Sequence, residues 1–513
     1  MKFKNSFTIV VIFLSLLTPI LSDKPKKPSV LFLLADDAGF ESGAYLNKIV
    51  QTPNIDDLAR HSLLFNNAFV SVSSCSPSRA AILTGQPTHQ NGMYGLHNNE
   101  NHFNSFDGIK SLPNILKDHG IRTGLIGKKH VGPSSVFKFD YEVTEEEHSI
   151  NQVGRNITQI KLLVRDFLKA NNDSQFFLMV AFHDPHRCGH ITPEFGPFCE
   201  KYGSGQEGMG LIPDWQPIYY QWEQVALPFY IPDTEPARRE VAAQYTTISR
   251  LDQGIGLVLK ELKDSGFDKD TLVIYTSDNG PPFPSGRTNF YEPGFNVPLM
   301  MSSPDKKRWH QSTYEMTSHL DLLPTFLDWF GISQHFGSDT NDVTSYTGKS
   351  LLPLLDQEPP VTDDTTIFGS HNFHEVTMAY PMRTIRNRKY KLIHNINYDS
   401  KFPIDQDFYV SWTFQDILNR TISKTKLPWY KNLRTYYNRP EFELYDMKKD
   451  FAEMQNLAYR KDFAKIRKEL EEKLWKWLVD TKDPWRCAPH AVLEDKGEYK
   501  GNPSCLTLGH DEM

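Results

Sequence analysis

The chain is long, moderately charged and mildly acidic. Its 513 residues are 39% hydrophobic and 23% charged, a globular composition that excludes a disordered or fibrous protein. A chain of this length can bury a large core and is expected to form two domains. The formal net charge of -7 argues against broad binding of nucleic acid, so an anionic substrate has to meet a local basic pocket.

The first 22 residues have the pattern of a secretory signal peptide. A basic start precedes an apolar run over 7–21, and the small residue Ser22 follows it. The run is short for a bilayer span, so we expect no membrane association after cleavage. Sequons at Asn156, Asn172 and Asn419 fit a glycosylated product of the secretory pathway.

The five cysteines are informative because the secretory pathway is oxidising. Cys188 and Cys199 are close enough in sequence to join one loop, and Cys487 and Cys505 could hold the C-terminal tail. This pairing is the simplest, although other pairings stay open. It leaves Cys75 without a partner, and an unpaired thiol in that compartment needs a reason.

Strand and helix patterns alternate through the first part of the chain. Apolar runs predict strands at 29–35, 121–126, 176–182, 271–276 and 297–302. Amphipathic or helical patterns predict helices at 53–64, 112–119, 157–168, 242–262 and 321–330. The stretches 86–104 and 187–236 lack periodicity and are expected to be irregular. Together these patterns predict an α/β domain built on a mostly parallel sheet.

The character of the sequence changes near residues 367–380. A hairpin over 382–386 and 389–395, a segment at 443–446 and a helix from Phe463 to Trp477 predict a smaller α+β domain. The predicted divisions are the signal peptide at 1–22, a large domain at 23–375 and the C-terminal α+β domain at 376–513.

Polar side chains follow four of the predicted strands. Each cluster could be an ordinary exposed turn, but open α/β sheets bind ligands at the carboxyl ends of their strands. The clusters are Asp36 with Asp37, Lys128 with His130, His183 with His186, and Asp278 with Asn279, and the loop after the last carries Arg287. The proline between His183 and His186 predicts that one of the two faces the site.

The stretch from Ser73 to Gly85 predicts a helix that begins near Cys75 and stops at the glycine. The helix N-terminus and Arg79, one turn further on, are expected to stabilise a thiolate and to attract a sulfate or phosphate group. Taken alone, Cys75 is more simply a buried structural cysteine.

The combined donor set indicates metal-assisted hydrolysis. All-oxygen ligation by aspartate and asparagine favours calcium or magnesium over zinc. Basic side chains around a metal suit a tetrahedral oxyanion, and histidines suit proton transfer to a leaving group. The residues therefore predict a hydrolase of a sulfuryl or phosphoryl substrate and do not choose between the two.

Ser73 to Gly85 also resembles the signature of the sulfatase family, with its Cys-x-Pro-Ser-Arg core intact and Leu-Thr-Gly after it. Gly120 to His130 resembles the family's second signature, with Ile121 where Tyr or Val is usual. The resemblance implies an alkaline-phosphatase-like α/β domain, with a mixed, mostly parallel sheet sandwiched by helices. It also implies a smaller C-terminal α+β domain with an antiparallel sheet.

Segments outside this core, such as 183–190 and 402–409, resemble family members that cleave N-linked sulfate. The implied substrate is N-sulfoglucosamine at the non-reducing end of heparan sulfate. The resemblance further implies a lysosomal, homodimeric enzyme. His371, His374 and Glu375 are candidates to bind the sugar hydroxyls.

The resemblance gives Cys75 a chemical explanation. A formylglycine-generating enzyme would oxidise it to Cα-formylglycine during secretion, so that it needs no disulfide partner. One hydroxyl of the aldehyde hydrate would attack sulfur, and the second would then expel sulfate and restore the aldehyde.

The resemblance also assigns a role to each polar residue at the strand ends. Asp36, Asp37, Asp278 and Asn279 would hold one calcium ion together with the modified Cys75. Arg79 and His130 would orient and activate the diol, and Lys128 would neutralise the sulfate oxygens. His186 would protonate the departing amine. Arg287 would clamp the sulfate at a position where lysine is usual.

Three other functions stay open. An O-sulfatase for another glycosaminoglycan would use the same core with different pocket walls. A phosphodiesterase of the same fold would normally carry Ser or Thr in place of Cys75. A catalytically inactive glycan-binding protein would keep Cys75 unmodified or lack a metal ligand.

Overall fold

The computed structural model describes residues 28–98, 100–147, 153–171, 174–188, 193–332, 346–362 and 364–507. The predicted signal peptide and the sequon at Asn172 lie outside the described residues. Among the helices within these ranges, none combines the length and the apolar character needed to cross a membrane.

A mixed sheet forms the centre of the large domain. Its strands are β1 (Ser29–Ala35), β2 (Leu63–Phe69), β3 (Arg122–Gly127), β4 (Tyr141–Thr144), β5 (Phe176–Ala181), β6 (Thr271–Ser277), β7 (Leu299–Ser302) and β8 (Gln311–Ser318). The strand order is β4-β3-β5-β1-β6-β7-β2-β8. Neighbouring strands run parallel except where β7 pairs with β6 and β2. The expected mixed, mostly parallel sheet is confirmed.

Helices cover both faces of this sheet. They are α1 (Pro53–Arg60), α2 (Cys75–Thr84), α3 (Thr88–Asn91), α4 (Leu112–Asp118), α5 (Ile157–Lys169), α6 (Glu235–Asp264), α7 (Glu292–Phe295) and α8 (Leu322–Trp329). Phe32 and Leu34 of β1 share an apolar cluster with residues of α2, α4 and α8, whereas Leu31 and Leu33 share one with α1, α5 and α6. Because both faces are covered, β1 is apolar at every position after its first serine.

The C-terminal part of the chain contains an antiparallel sheet. Its strands are β9 (Ile367–Phe373), β10 (Ala379–Arg386), β11 (Tyr390–Asn395) and β12 (Phe442–Asp446), in the order β12-β11-β10-β9. The other elements are α9 (Gln406–Tyr409), α10 (Trp412–Ile422), α11 (Leu433–Tyr437), α12 (Ala464–Asp480) and the hairpin β13 (Ala491–Glu494) and β14 (Ser504–Thr507). Leu470 and Leu474 of α12 pack against this sheet. The antiparallel sheet is confirmed, and the domain boundary after residue 375 stays a prediction.

Some predicted elements differ from the structure. The helix predicted over 53–64 ends at Arg60, and Leu63 begins β2, because pairing with β7 and β8 buries Leu63 and Phe65. Strand β8 was not predicted, since several of its residues are polar or exposed. The helix predicted over 242–262 is longer, and the irregular stretch at 86–104 includes the short α3.

The cysteine pairing follows the simplest expectation. Disulfides join Cys188 to Cys199 and Cys487 to Cys505. Cys75 is a buried free thiol. The reason for its isolation has to come from its surroundings.

Candidate active site

Cys75 is the first residue of α2, as the sequence predicts. Ser74 precedes the helix in an extended conformation, and Gly85 ends it with a φ of 64°. The Ser74 hydroxyl does not cap the helix but lies 2.8 Å from Nδ1 of His374. Cys75 is 1% exposed, and its Sγ lies 4.0 Å from Oδ1 of Asp37.

The acidic residues meet because β1 and β6 are parallel neighbours. Ala35 and Ser277 are in register at their ends, so the residues that follow each strand are adjacent. The backbone N–H of Asp37 donates to Oδ1 of Asp278 over 3.2 Å, and Nδ2 of Asn279 donates to Oδ1 of Asp37 over 2.6 Å. The structure thus brings together the acidic residues predicted from these two strand ends.

Two buried basic residues are paired with these carboxylates. Arg79 donates from Nε to Oδ2 of Asp278 over 2.8 Å and from Nη1 to the carbonyl of Lys128 over 2.6 Å. Lys128 donates from Nζ to Oδ2 of Asp36 over 2.5 Å. Opposite charges offset the desolvation of these buried groups.

Three histidines lie at the same edge of the sheet. Nε2 of His183 is 3.7 Å from Asp36, and Nε2 of His186 is 3.6 Å from Asp37. The expectation that only one of these two faces the site is therefore wrong, because the turn after β5 directs both rings toward the carboxylates. His130 has a buried Nδ1 with no hydrogen-bond partner among the described residues.

Arg287 connects this cluster to the C-terminal part of the chain. Its Nη1 donates to Oδ2 of Asp37 over 2.8 Å and lies 2.8 Å from Nε2 of His186. Its Nη2 donates to Oδ1 of Asp405 over 3.0 Å and to Oδ2 of Asp407 over 3.2 Å. The C-terminal carboxylates are thus part of the site.

Sequence reasoning assigned no role to Asp405 or Asp407. Both lie in the segment 402–409, which was singled out by resemblance, but no strand or helix pattern pointed to the site. Two further acidic residues were also missed. Glu145 contacts Nδ1 of His183 at 2.9 Å, and Glu146 accepts from the backbone N–H of His130 over 2.6 Å.

The three candidate sugar-binding residues have different surroundings. His371 is buried on β9 beside the ring of Phe290. His374 contacts Ser74, directly before Cys75. Glu375 is partly buried and accepts from the backbone N–H of Gln406 over 3.3 Å. None of these contacts tests a role in binding sugar, which stays a prediction.

Burial and crowding set the protonation of the acidic groups. Burial, together with the charges of Asp36 and Asp278, raises the pKa of Asp37 to about 8 against the opposing effect of Arg287. Burial and Asp36 likewise raise the pKa of Asp278 to about 6. Burial acts in the same direction on Asp36, but Lys128 and its other basic neighbours hold the pKa of Asp36 well below its usual range.

The expected stabilisation of a Cys75 thiolate is wrong. Burial raises the pKa of Cys75 well above its usual range, and Asp36, Asp37 and Asp278 act in the same direction against the opposing effect of Lys128. The environment of the helix N-terminus is therefore dominated by desolvation and negative charge. Cys75 is a neutral thiol and a poor nucleophile.

His186 is neutral in this arrangement. Burial and the charge of Lys128 hold the pKa of His186 well below its usual range. The hydrogen bonds agree, because Nδ1 must donate to the carbonyl of Arg187 over 2.7 Å and Nε2 must accept from Arg287. Burial and Lys128 lower the pKa of His130 in the same way.

The cluster has the character of a metal site. Asp36, Asp37, Cys75 and His186 offer ligand atoms that all lie within 4.8 Å of one another. Oδ1 of Asp36 and Oδ1 of Asn279 are buried oxygens without a hydrogen-bond partner in the described part of the chain. Unpaired oxygens among crowded carboxylates fit a hard divalent cation. Asp278 is outside the group of four, and its oxygens accept from Asp37 and Arg79.

The chain matches known proteins over most of its length. A family model described as "Sulfatase" matches residues 28–332, and one described as "N-sulphoglucosamine sulphohydrolase, C-terminal" matches residues 286–409. The chain is 57% identical to the N-sulphoglucosamine sulphohydrolase of Homo sapiens, over 94% of this chain and 95% of that protein.

More distant relatives share the architecture. The chain is 27% identical to an ulvan-active sulfatase of Formosa agariphila, over 88% of this chain and 80% of that protein. A solved 2-O glycosaminoglycan sulfatase is similar with a TM-score of 0.62 at 20% identity, over 90% of this chain and 94% of that chain. The latter likeness shows the fold alone. From the family match over more than half of its length and the identity to its human relative, the chain belongs to the sulfatase family.

Proposed function

We propose that this sulfatase hydrolyses the N-linked sulfate of N-sulfoglucosamine at the non-reducing end of heparan sulfate. The observation that carries the proposal is the 57% identity to a protein named N-sulphoglucosamine sulphohydrolase, which extends over nearly the whole chain. The family model of the same name matches the segment that contributes Arg287, Asp405 and Asp407 to the candidate site. The similarity to this relative therefore extends to the C-terminal residues of the site, which lie outside the sulfatase signature around Cys75.

Cys75 acts in this proposal after conversion to Cα-formylglycine by a formylglycine-generating enzyme in the secretory pathway. Its buried, neutral thiol is unsuited to attack sulfur, and no disulfide occupies it. The hydrated aldehyde would offer one oxygen for attack and a second hydroxyl for release of sulfate.

The proposed ligands of one calcium ion are Asp36, Asp37, Asp278, Asn279 and the modified Cys75. The two buried oxygens without partners and the raised pKa of Asp37 support a cation here. When bound, calcium would supply positive charge that offsets the crowded carboxylates and attracts the sulfate oxygens.

The basic residues divide the remaining work. Arg79 is held by Asp278 and has a buried Nη2 without a hydrogen-bond partner in the described residues, so it can orient a hydroxyl at position 75. His130, whose buried Nδ1 also lacks a partner there, would accept the proton of that hydroxyl. Lys128 and Arg287 would neutralise the sulfate oxygens.

His186 is the proposed acid for the leaving amine. In the present arrangement its Nε2 accepts from Arg287 and so carries no proton. A bound sulfate offers Arg287 another acceptor, which frees Nε2 to bind a proton beside Asp37 and Asp407. That proton would pass to nitrogen as the N–S bond breaks.

The cellular setting remains part of the proposal. The proposed location is the lysosome, as the resemblance to the sulfatase family implies, reached through the secretory pathway after removal of residues 1–22. Glycosylation at the sequons and assembly as a homodimer stay predictions. Asn156 is compatible with a glycan, because its Oδ1 caps α5 and leaves Nδ2 for attachment.

The test is hydrolysis of an N-sulfated and a 6-O-sulfated glucosamine by protein secreted from a eukaryotic cell, with sulfate release as the readout. We expect release from the N-sulfated sugar and little from the O-sulfated one. Release from the O-sulfated sugar alone would replace this proposal with the O-sulfatase.

A further inference from the structure

Asp407 is the carboxylate around Arg287 that reaches solvent. Its side chain is 24% exposed, against 5% for Asp405 and 0% for Asp37. Asp405 caps α9 by accepting from the backbone N–H of Phe408 over 2.8 Å, which fixes the turn that carries Asp407. Asp407 is therefore both accessible and held in position.

Asp407 also lies beside the proposed acid. Its Oδ2 is 3.8 Å from Nε2 of His186 and 3.2 Å from Nη2 of Arg287. A substrate atom at a hydrogen-bond distance of about 2.9 Å from Nε2 can lie equally close to Oδ2, because these two atoms are 3.8 Å apart. The atom that takes a proton from His186 is the one that leaves sulfur. Asp407 is thus within reach of the leaving atom.

We propose that Asp407 recognises the N–H of the sulfamate and so selects N-linked over O-linked sulfate. This inference rests on the proposed function. A sulfamate nitrogen bonded to a sugar carbon carries one hydrogen, which can donate to the carboxylate. An ester oxygen carries none, and its lone pairs would face a carboxylate oxygen. Sites built to accept a hydrogen bond discriminate strongly against analogues that lack the donor.

The Asp407 carboxylate would also bind the amine product. As a new S–O bond forms, the N–S bond breaks, and nitrogen keeps the electron pair and takes the proton from His186. The resulting primary amine binds a further proton from solvent at acidic pH. Its ammonium group then lies beside the Asp407 carboxylate, whereas an alcohol product would gain no such ion pair.

A purely structural role would have a different signature. If Asp407 only held Arg287 in place, its loss would weaken sulfate binding in both substrate classes equally. The ratio of activities toward N-linked and O-linked sulfate separates the two roles.

The experiment compares glucosamine N-sulfate with glucose 2-sulfate, which differ in the atom that links sulfate to C2. The full-length secreted protein is measured beside Asp407→Leu, which removes the acceptor, and Asp407→Asn, which keeps an acceptor oxygen without the charge. Asp399→Asn, in an exposed turn, is the control. The readouts are kcat/KM for each sugar and inhibition by glucosamine and by glucose.

We expect Asp407→Leu to lower the N-to-O ratio of kcat/KM by at least about tenfold. Asp407→Asn should retain most of that ratio and weaken inhibition by glucosamine about tenfold, with inhibition by glucose unchanged. The control should match the unmodified protein. An equal loss on both substrates with unchanged glucosamine inhibition would overturn the inference. If the unmodified protein cleaves glucose 2-sulfate but not the N-sulfate, the proposed function fails, and inhibition of that cleavage by glucosamine still tests Asp407.

Discussion

Two of the buried groups of charges in this protein differ in their surroundings. Near β10, the side chains of Arg383 and Asp483 are both 0% exposed and form a two-pronged ion pair, with Nη2 of Arg383 3.1 Å from Oδ1 of Asp483. Arg383 lowers the pKa of Asp483 to about 2, overcoming the effect of burial. Asp37 in the candidate site is also fully buried, yet its pKa rises to about 8.

The pKa values of Asp483 and Asp37 differ because the two carboxylates have different hydrogen-bond and charge partners. Arg383 also donates to two backbone carbonyls, each over 2.9 Å, and Asp483 accepts from the backbone N–H of Trp485 over 2.8 Å. In the site, Asp37 has Arg287 but also two carboxylate neighbours, and Oδ1 of Asp36 lacks a donor among the described residues. Crowding of carboxylates, and not burial alone, distinguishes the candidate site from the Arg383–Asp483 pair.

The largest expected effect is the loss of activity when Cys75 in the candidate site is replaced. Cys75→Ala removes the proposed nucleophile and should lower kcat on the N-sulfated sugar by roughly 10⁶-fold. Alanine lacks the oxygens of the hydrated aldehyde and leaves a small cavity, so the free energy of unfolding should fall by about 1 kcal/mol. Sulfate release and denaturant unfolding measure the two effects. A large loss of stability would instead make Cys75 a structural core residue.

The two aspartates should differ in their effects on stability. Asp483→Asn leaves the buried Arg383 without its counter-charge and should lower the free energy of unfolding by about 3–5 kcal/mol. Asp37→Asn removes one of several crowded carboxylates and should lower it by less than about 1 kcal/mol in a chelator. Adding calcium should stabilise the unmodified protein more than Asp37→Asn. Equal losses in the two variants would remove the distinction between the regions.

A smaller effect concerns His89, which contacts the Arg383–Asp483 pair. Burial lowers the pKa of His89 to about 4, despite Asp483 at 3.6 Å. His89 therefore binds a proton near pH 6.5 in the unfolded chain but only near pH 4 in the folded chain. Stability attributable to His89 is lost as the pH falls through this window, by about 2 kcal/mol between pH 7 and pH 5.

His89→Gln should remove this part of the acid sensitivity and leave the rest. Unfolding free energies of both proteins at pH 7 and pH 5 measure it. If both lose the same amount on acidification, the low pKa of His89 is wrong.

Elements marked by their own residues could be predicted from the sequence, whereas elements that depend on distant contacts could not. Continuous apolar runs predicted β1 and β6, because strands covered on both faces carry that pattern in their own residues. Strand β8 pairs with β2 through polar and partly exposed residues, so no local pattern marked it. Asp36, Asp278 and Lys128 were identified because each follows a strand.

The C-terminal side of the site could not be derived in this way. Asp405 reaches Arg287 across 118 residues of sequence, and only the packing of the two parts of the chain brings them together. The charge state of Cys75 was also beyond local reasoning. A helix start and a nearby arginine predicted a thiolate, but burial, reinforced by three aspartates from other elements, raises the pKa of the thiol.

The proposed chemistry depends above all on conversion of Cys75 to an aldehyde. Peptide mass spectrometry across Cys75, on protein secreted from eukaryotic cells, is the decisive measurement. We expect Cα-formylglycine or its hydrate at position 75. Secreted protein that carries only the unmodified thiol would refute the proposed nucleophile.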